Sequence, residues 1–482
     1  MPLAEQGCGF EKTLHTLLPN ITDALNLSSL NPRYYGFVTG GVTPAALAAD
    51  FLTSIYDQNV SVHLSEESIA TKIEYEALNL VLDMLRLERN VFPSKIFTTG
   101  ATASNILGLA LGREWLVQTY GKLHGVSPLP SVGDLGLLEA CSQAKISKIE
   151  IVSTMPHSSI AKAASVVGLG RSSIVDLFDP HDPITLNMDA LETYIGTRAP
   201  TTATILVLSI GEVNTGFFAT SSLEQMQQLR TLCTTNNIWI HADGAFGLFN
   251  RLLLPSSSSS SSSSSKVLPD SSAKLPLYDF TVPASGTLGL ELVDSITGDA
   301  HKFLNVPYDC GIFFSRHPPS LLESVFQNGN AAYLRASPHN TSTTSPPIPS
   351  PLNIGLENSR RFRALPVYAT LLSHGRKGYL EILQRQILLC RKIITYLLSH
   401  DSYIVLPSST IISNISTIAL FRARDPDINK HLVARIKATG KIYVSGTMWD
   451  GVEAARLAVC NWRVDVERDF EIVRGVLDEI LS

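Results

Sequence analysis

Thr204-Ile-Leu-Val-Leu-Ser-Ile210, the helical pattern over Leu223–Thr234, and Ile238-Trp-Ile-His-Ala242 together decide the fold class. Two short apolar runs flank one amphipathic segment, and each run is the length of a buried strand rather than of a helix. Strands joined through a crossover helix pair in parallel, and a parallel sheet needs cover on both faces. The same alternation runs upstream through Lys95–Thr99, a helix from about Thr102, Ile149–Thr154 and a helix from Ser159. The expected fold is therefore α/β, with a mostly parallel sheet and right-handed crossovers. Ligands of such sheets sit outside the carboxyl ends of the strands.

The flanks divide the chain further. Leu14, Leu17, Leu18, Ile21 and Leu25 recur at helical spacing, so residues 1–70 read as a helical arm whose apolar stripe needs another surface, either a docking site or a dimer contact. A second helical pattern, Thr71–Leu87, opens a large domain expected over 71–335. Inside it Ser256–Ser265 is unbroken polyserine with nothing to bury, which reads as a solvated loop. Residues 336–358, dense in Ser, Thr, Asn and Pro, read as a mobile loop, either an active-site lid or simple disorder. From Ser359 the pattern is helical through Cys390 and then alternates again to Ser482, giving a smaller C-terminal α/β domain over 359–482.

With 44% apolar and 17% charged residues, the 482-residue chain can bury enough surface to fold as a globular protein. Its 38 basic and 43 acidic residues leave a formal charge of −5, which gives a polyanion nothing to grip, so nucleic acid is not expected as a partner. The start lacks a basic segment followed by an apolar core, and no apolar run approaches the roughly 20 residues of a membrane helix. A soluble, cytoplasmic protein is the expectation. The six cysteines are scattered singly, with no His at metal-ligand spacing, so reduced thiols and no metal site are expected.

Four segments carry chemistry. Asp294-Ser-Ile-Thr-Gly-Asp-Ala-His-Lys-Phe-Leu-Asn-Val-Pro-Tyr-Asp-Cys-Gly311 places Lys302 in a polar turn before an apolar stretch. Trp239-Ile-His-Ala-Asp-Gly-Ala-Phe-Gly247 puts Asp243 at the carboxyl end of a strand. Phe97-Thr-Thr-Gly-Ala-Thr-Ala-Ser-Asn105 leads from a strand into a helix through small residues that let backbone N–H groups approach a phosphate. Ser153-Thr-Met-Pro-His-Ser-Ser-Ile-Ala-Lys-Ala163 sets His157 just past a strand, where an imidazole can lie on an aromatic ring. Taken singly, Lys302 also reads as a snorkelling surface side chain, Asp243 as a helix cap and His157 as a structural histidine.

Taken together and in this order, the segments resemble the group II pyridoxal-5′-phosphate (PLP) decarboxylases, the family of aromatic-amino-acid, glutamate and histidine decarboxylases. The likeness takes in Asn31-Pro-Arg-Tyr-Tyr-Gly-Phe-Val-Thr-Gly-Gly41, Ala332-Tyr-Leu334, Ser359-Arg-Arg-Phe-Arg-Ala-Leu-Pro-Val-Tyr368 and Val459-Cys-Asn-Trp462, and so covers most of the chain. It implies PLP fold type I, the aspartate-aminotransferase-like fold, and a homodimeric L-amino-acid decarboxylase. By that resemblance Lys302 would hold PLP as a Schiff base and Asp243 would pair with the pyridine nitrogen, which favours the protonated ring that works as an electron sink. His157 would stack on one ring face and Ala245 pack on the other. Ala101 and Thr102 would bind the phosphate, with Asp299 and His301 completing that end. Tyr35, Phe37 and Val38 would line the substrate side.

Two departures bear on the outcome. In the decarboxylases a loop after the Ala-Tyr-Leu segment supplies a tyrosine that protonates Cα, and Ser337–Ile354 contains none. His339 is the side chain there with a suitable ordinary pKa for a proton donor, against the plainer and preferred reading of an ordinary loop histidine. In Gly211-Glu-Val-Asn-Thr-Gly216, Val213 stands where a threonine contacts the cofactor, with Asn214 or Thr215 as substitutes, or the motif is simply a turn closing a buried strand. A carbonyl-forming oxidative decarboxylase, another carbon–carbon lyase, or a catalytically silent PLP-binding homologue stay open as alternatives.

Overall fold

A computed structural model describes residues 3–179, 182–255, 276–327 and 348–481. Strands among them are β1 (Tyr34–Tyr35), β2 (Ser94–Thr98), β3 (Lys148–Ser153), β4 (Ile174–Asp176), β5 (Thr202–Ser209), β6 (Ile238–Asp243), β7 (Ser295–Asp299), β8 (Gly311–Ser315), β9 (Tyr403–Leu406), β10 (Ile418–Ala423), β11 (Tyr443–Trp449) and β12 (Val452–Ala458). A seven-stranded sheet runs in the order β2-β8-β7-β6-β5-β3-β4. Every residue of β2 and of β5 to β8 is buried, as expected for a sheet covered on both faces. The pairs from β4 to β7 are parallel, whereas β8 is antiparallel to both β7 and β2. Only residues 300–310 separate β7 from β8, too few for the dozen or more that a crossover needs, so the chain turns back on itself.

Helices α1 (Phe10–Ile21), α2 (Pro44–Tyr56), α3 (Ala70–Leu85) and α4 (Ala101–Leu123) precede β3. Helix α4 lies against the seven-stranded sheet, where Gly108 and Gly112 let its backbone approach the His241 and Trp239 side chains of β6. Helix α1 buries none of its residues: Phe10, Leu14, Leu17, Leu18 and Ile21 are all exposed in a single chain. Residues Leu47, Phe51, Leu52, Ile55 and Tyr56 of α2 are exposed as well.

A second sheet runs in the order β1-β11-β12-β10-β9, with four of its strands drawn from residues 403–458. Strand β1, from the N-terminal stretch, pairs in parallel with β11, Tyr34 opposite Tyr443 and Tyr35 opposite Val444. The pattern read as a boundary at Ser359 is a helical run, Ala364–Leu398, that serves two cores at once. Val367, Tyr379, Ile382 and Ile387 pack in the large core, while Leu389, Ile393, Ile394 and Leu397 pack under the small sheet. The run bends at Gly375, whose φ of 57° lies in the left-handed region open to glycine. No helix among the described residues is long and apolar enough to cross a membrane. None of the six cysteines is paired.

Candidate active site

The site grows out of strand ends. Strand β6 finishes at Asp243, which stands in register with Thr297 of β7, so Asp299 lies two residues further along the neighbouring strand. The short helical turn Ala300–Phe303 then carries His301 and Lys302. On the same edge β2 leads through Gly100 into α4, and β5 runs into Gly211–Val213. Strand β3 runs into His157, which caps the helix Ser158–Val166 by accepting the Ser159 N–H.

These ends enclose a cavity of about 290 Å³ lined by Ala101, Thr102, His157, Asp243, Ala245, Asp299, His301 and Lys302, eight of the residues expected from sequence. Val38 lines it too, but Tyr35 and Phe37 do not. Tyr35 is committed to β1 and fully buried under the small sheet, and Phe37 is exposed. Asn214 is also outside the lining: its amide donates to Glu212 Oε1 at 3.0 Å and accepts from Thr447 Oγ1 at 2.9 Å, which ties the turn to β11. His339, the polyserine run and Ala332-Tyr-Leu334 lie outside the described residues.

The Lys302 ammonium lies 2.8 Å from Asp299 Oδ2, and Asp299 Oδ1 accepts the Ala101 N–H at 2.7 Å. One carboxylate therefore joins the lysine to the start of α4, a role its side chain plays directly. An anion arriving there meets an acceptor that already holds the first N–H, but the N–H groups of Thr102 and Ala103 have no carbonyl within the helix to bond. His301 accepts the Cys310 N–H on Nδ1 at 3.2 Å, and burial pushes its pKa below the usual histidine value. Behind Lys302, its carbonyl accepts from Cys460 Sγ at 3.3 Å and from Asn305 Nδ2 at 3.1 Å. Asn305 in turn accepts the Trp462 N–H at 2.9 Å, and its carbonyl accepts the Thr43 N–H at 2.9 Å. Segments 31–43, 299–311 and 459–462, distant in the chain, thus brace one turn.

Asp243, 8% exposed, accepts from Asn105 Nδ2 at 2.9 Å and from the Ala245 N–H at 3.2 Å. A carboxylate offers about four lone-pair positions, so two remain for a donor in the cavity. A carboxylate, an amine, a helix start and an imidazole around one pocket fit a flat, phosphorylated aldehyde such as PLP.

Sequence reasoning missed three neighbours. Asn105 and Ser159 are buried and bonded to each other at 3.1 Å; both fall within the motifs around the strand ends, yet nothing in their spacing singles them out. Arg456, buried in β12, donates through Nε to the Val213 carbonyl at 2.6 Å and leaves one buried nitrogen without a partner. Burial lowers its pKa to about 10. A lone arginine inside the otherwise apolar run Ala454–Cys460 was the signal that could have found it.

Residues 283–418 match the family described as pyridoxal-dependent decarboxylase conserved domain. The chain is 23% identical over 395 residues to L-2,4-diaminobutyrate decarboxylase of Acinetobacter baumannii, covering 80% of this chain and 68% of that one. It is 22% identical over 485 residues to aromatic-L-amino-acid decarboxylase of Bacillus atrophaeus, covering 98% and 86%. Its fold is similar to that of 4-hydroxyphenylacetaldehyde synthase from Rhodiola rosea, with a TM-score of 0.74 at 17% identity over 99% of this chain and 89% of that one. The strand-end cavity, the matched domain and the near full-length similarity agree: over most of its length the chain is similar to the pyridoxal-dependent decarboxylases.

Proposed function

We propose that this protein is a PLP-dependent L-amino-acid decarboxylase, with Lys302 and Asp243 as its two defining groups. The observation that carries this reading is that an amine and a carboxylate from neighbouring strand ends line one cavity. Bound PLP supplies the electron sink that makes loss of CO₂ from an amino acid feasible. Lys302 provides the amine that takes the cofactor aldehyde, and Asp299 holds that amine in place. Asp243 keeps a proton on the ring nitrogen, because a buried carboxylate favours an adjacent cation. His157 and Ala245 flank the ring, while the Thr102 and Ala103 N–H groups and the dipole of α4 receive the phosphate.

Val38, Met155, Val213 and Phe246 are the larger apolar residues of the cavity lining, which favours a substrate with an apolar side chain. We assign the uncovered apolar faces of α1 and α2 to a second copy of the chain, making the working form a homodimer. The protein acts on a small molecule in the cytoplasm, without a nucleic-acid or membrane partner. CO₂ release from a panel of aromatic, acidic and basic amino acids tests the reading; release from none of them by PLP-loaded protein sinks it and favours a silent homologue. A second reading, an aldehyde-forming decarboxylase, is carried by the tyrosine-free stretch Ser337–Ile354. Aldehyde with hydrogen peroxide in place of amine, from one labelled substrate, decides for it.

A further inference from the structure

We propose that Asn105 is a positioning residue that couples the Asp243 carboxylate to the His157 ring. The inference rests on the decarboxylase reading for its effect on turnover, and on geometry alone for its existence.

Asn105 is fully buried on the inner face of α4, and all of its hydrogen-bonding groups are used. Its Nδ2 lies 2.9 Å from Asp243 Oδ2 and 3.1 Å from Ser159 Oγ, and its Oδ1 lies 2.9 Å from His241 Nε2. A carboxylate oxygen accepts, so the amide must present Nδ2 to Asp243; turned over, it would aim oxygen at oxygen. The orientation of the amide fixes the rest. Oδ1 needs a donor, so His241 carries its proton on Nε2. Burial lowers the pKa of His241 to about 4, which keeps the ring neutral and Nδ1 bare. Ser295 Oγ, 2.7 Å away, therefore donates to Nδ1, and the Trp239 indole N–H donates into Ser295 at 3.2 Å.

The second branch runs to the cavity. Ser159 Oγ accepts from Asn105, and His157 Nδ1 already accepts the Ser159 N–H at 3.1 Å. The Ser159 hydroxyl, 2.7 Å from Nδ1, must then donate to it, which leaves Nε2 as the nitrogen that carries a ring proton. Every bond from Trp239 to Asp243 and to His157 thus points one way, and both paths run through Asn105. Bonds arranged in this sense polarise one another.

The test uses Asn105→Ala, Ser159→Ala and the double variant. Readouts are PLP affinity, the visible absorbance of the bound cofactor, kcat against KM, and ring-nitrogen NMR signals of His157 and His241 in cofactor-free protein, assigned by substitution. Asn105→Ala is expected to weaken PLP binding about 10- to 100-fold, as loss of a hydrogen bond to a charged group does. It should lower kcat by a similar factor with KM changed less than about threefold, and move the signals of both histidines. Ser159→Ala should move only the His157 signals. Because both variants cut one chain, the double variant should match Asn105→Ala within about twofold. Unchanged histidine signals with wild-type PLP affinity in Asn105→Ala, or additive effects in the double variant, overturn the proposal. Should Asn105→Ala fail to fold, Ser159→Ala decides: wild-type His157 signals there overturn it. Wild-type protein that binds no PLP overturns the decarboxylase reading instead, and the signals of cofactor-free protein still judge Asn105.

Discussion

Asp299 Oδ2 lies 2.8 Å from the Lys302 ammonium, while the other oxygen of the same carboxylate takes the first N–H of α4. The lysine is thereby held at the end of the cavity where helix dipole and backbone donors attract an anion. The same carboxylate adds a negative charge to that end.

Asp299→Asn keeps an acceptor for the Ala101 N–H but removes the charge. It should tighten PLP binding by roughly 2- to 10-fold, since a screened charge beside a phosphate costs on the order of 1 kcal/mol. Absorbance titration of cofactor-free protein measures this, and unchanged or weaker binding rules out competition between Asp299 and the phosphate.

Lys302→Ala should abolish the visible absorbance that PLP shows when joined to a lysine, together with CO₂ release. A spectrum like that of the wild type would mean that another amine holds the cofactor.

Asp243→Ala should retain some cofactor yet lose about 100-fold or more of turnover, the scale seen when a group that stabilises developing charge is removed. Near-normal kcat would give the ring nitrogen a different partner.

His241 is neutral in the fold, its pKa lowered from 6.5 to about 4 by burial, whereas the unfolded side chain binds a proton below 6.5. The unfolded state thus holds the extra proton, and stability falls as pH drops from 6.5 toward 4, by up to roughly 1.4 kcal/mol per pH unit. His241→Gln should flatten this acid limb in denaturant titrations run at several pH values; an identical slope would assign the limb to other groups.

A Cβ added at Gly108 would overlap the His241 ring, so Gly108→Ala should push α4 off the sheet and cost about 1–3 kcal/mol, seen as a lower Tm. Full stability would show that α4 can shift freely, which the bonds of Asn105 argue against.

The alternation of strands and helices was legible because burial on both faces leaves unbroken apolar runs such as Ile205–Leu208. Asp243, Lys302 and His157 were legible through resemblance, since each sits in a motif of small residues around a strand end. Asn105 was not, because an asparagine on a helix declares no partner until β6 and the helix Ser158–Val166 are folded against it. Tyr35 was misjudged for a related reason: an aromatic residue near a cavity and one in a sheet core look alike in sequence, and pairing with β11 decided between them.

By itself the chain determined four strands of the large sheet, β2, β3, β5 and β6, and the helices that follow them, because these follow from local periodicity and turn chemistry. The tertiary structure alone decided that β8 runs antiparallel, that β1 joins the C-terminal sheet, and that Asn105 and Arg456 bond to residues lining the cavity beside Asp299. Those outcomes depend on pairings between residues far apart in the chain, where hydrogen-bond partners are set by packing rather than by neighbours.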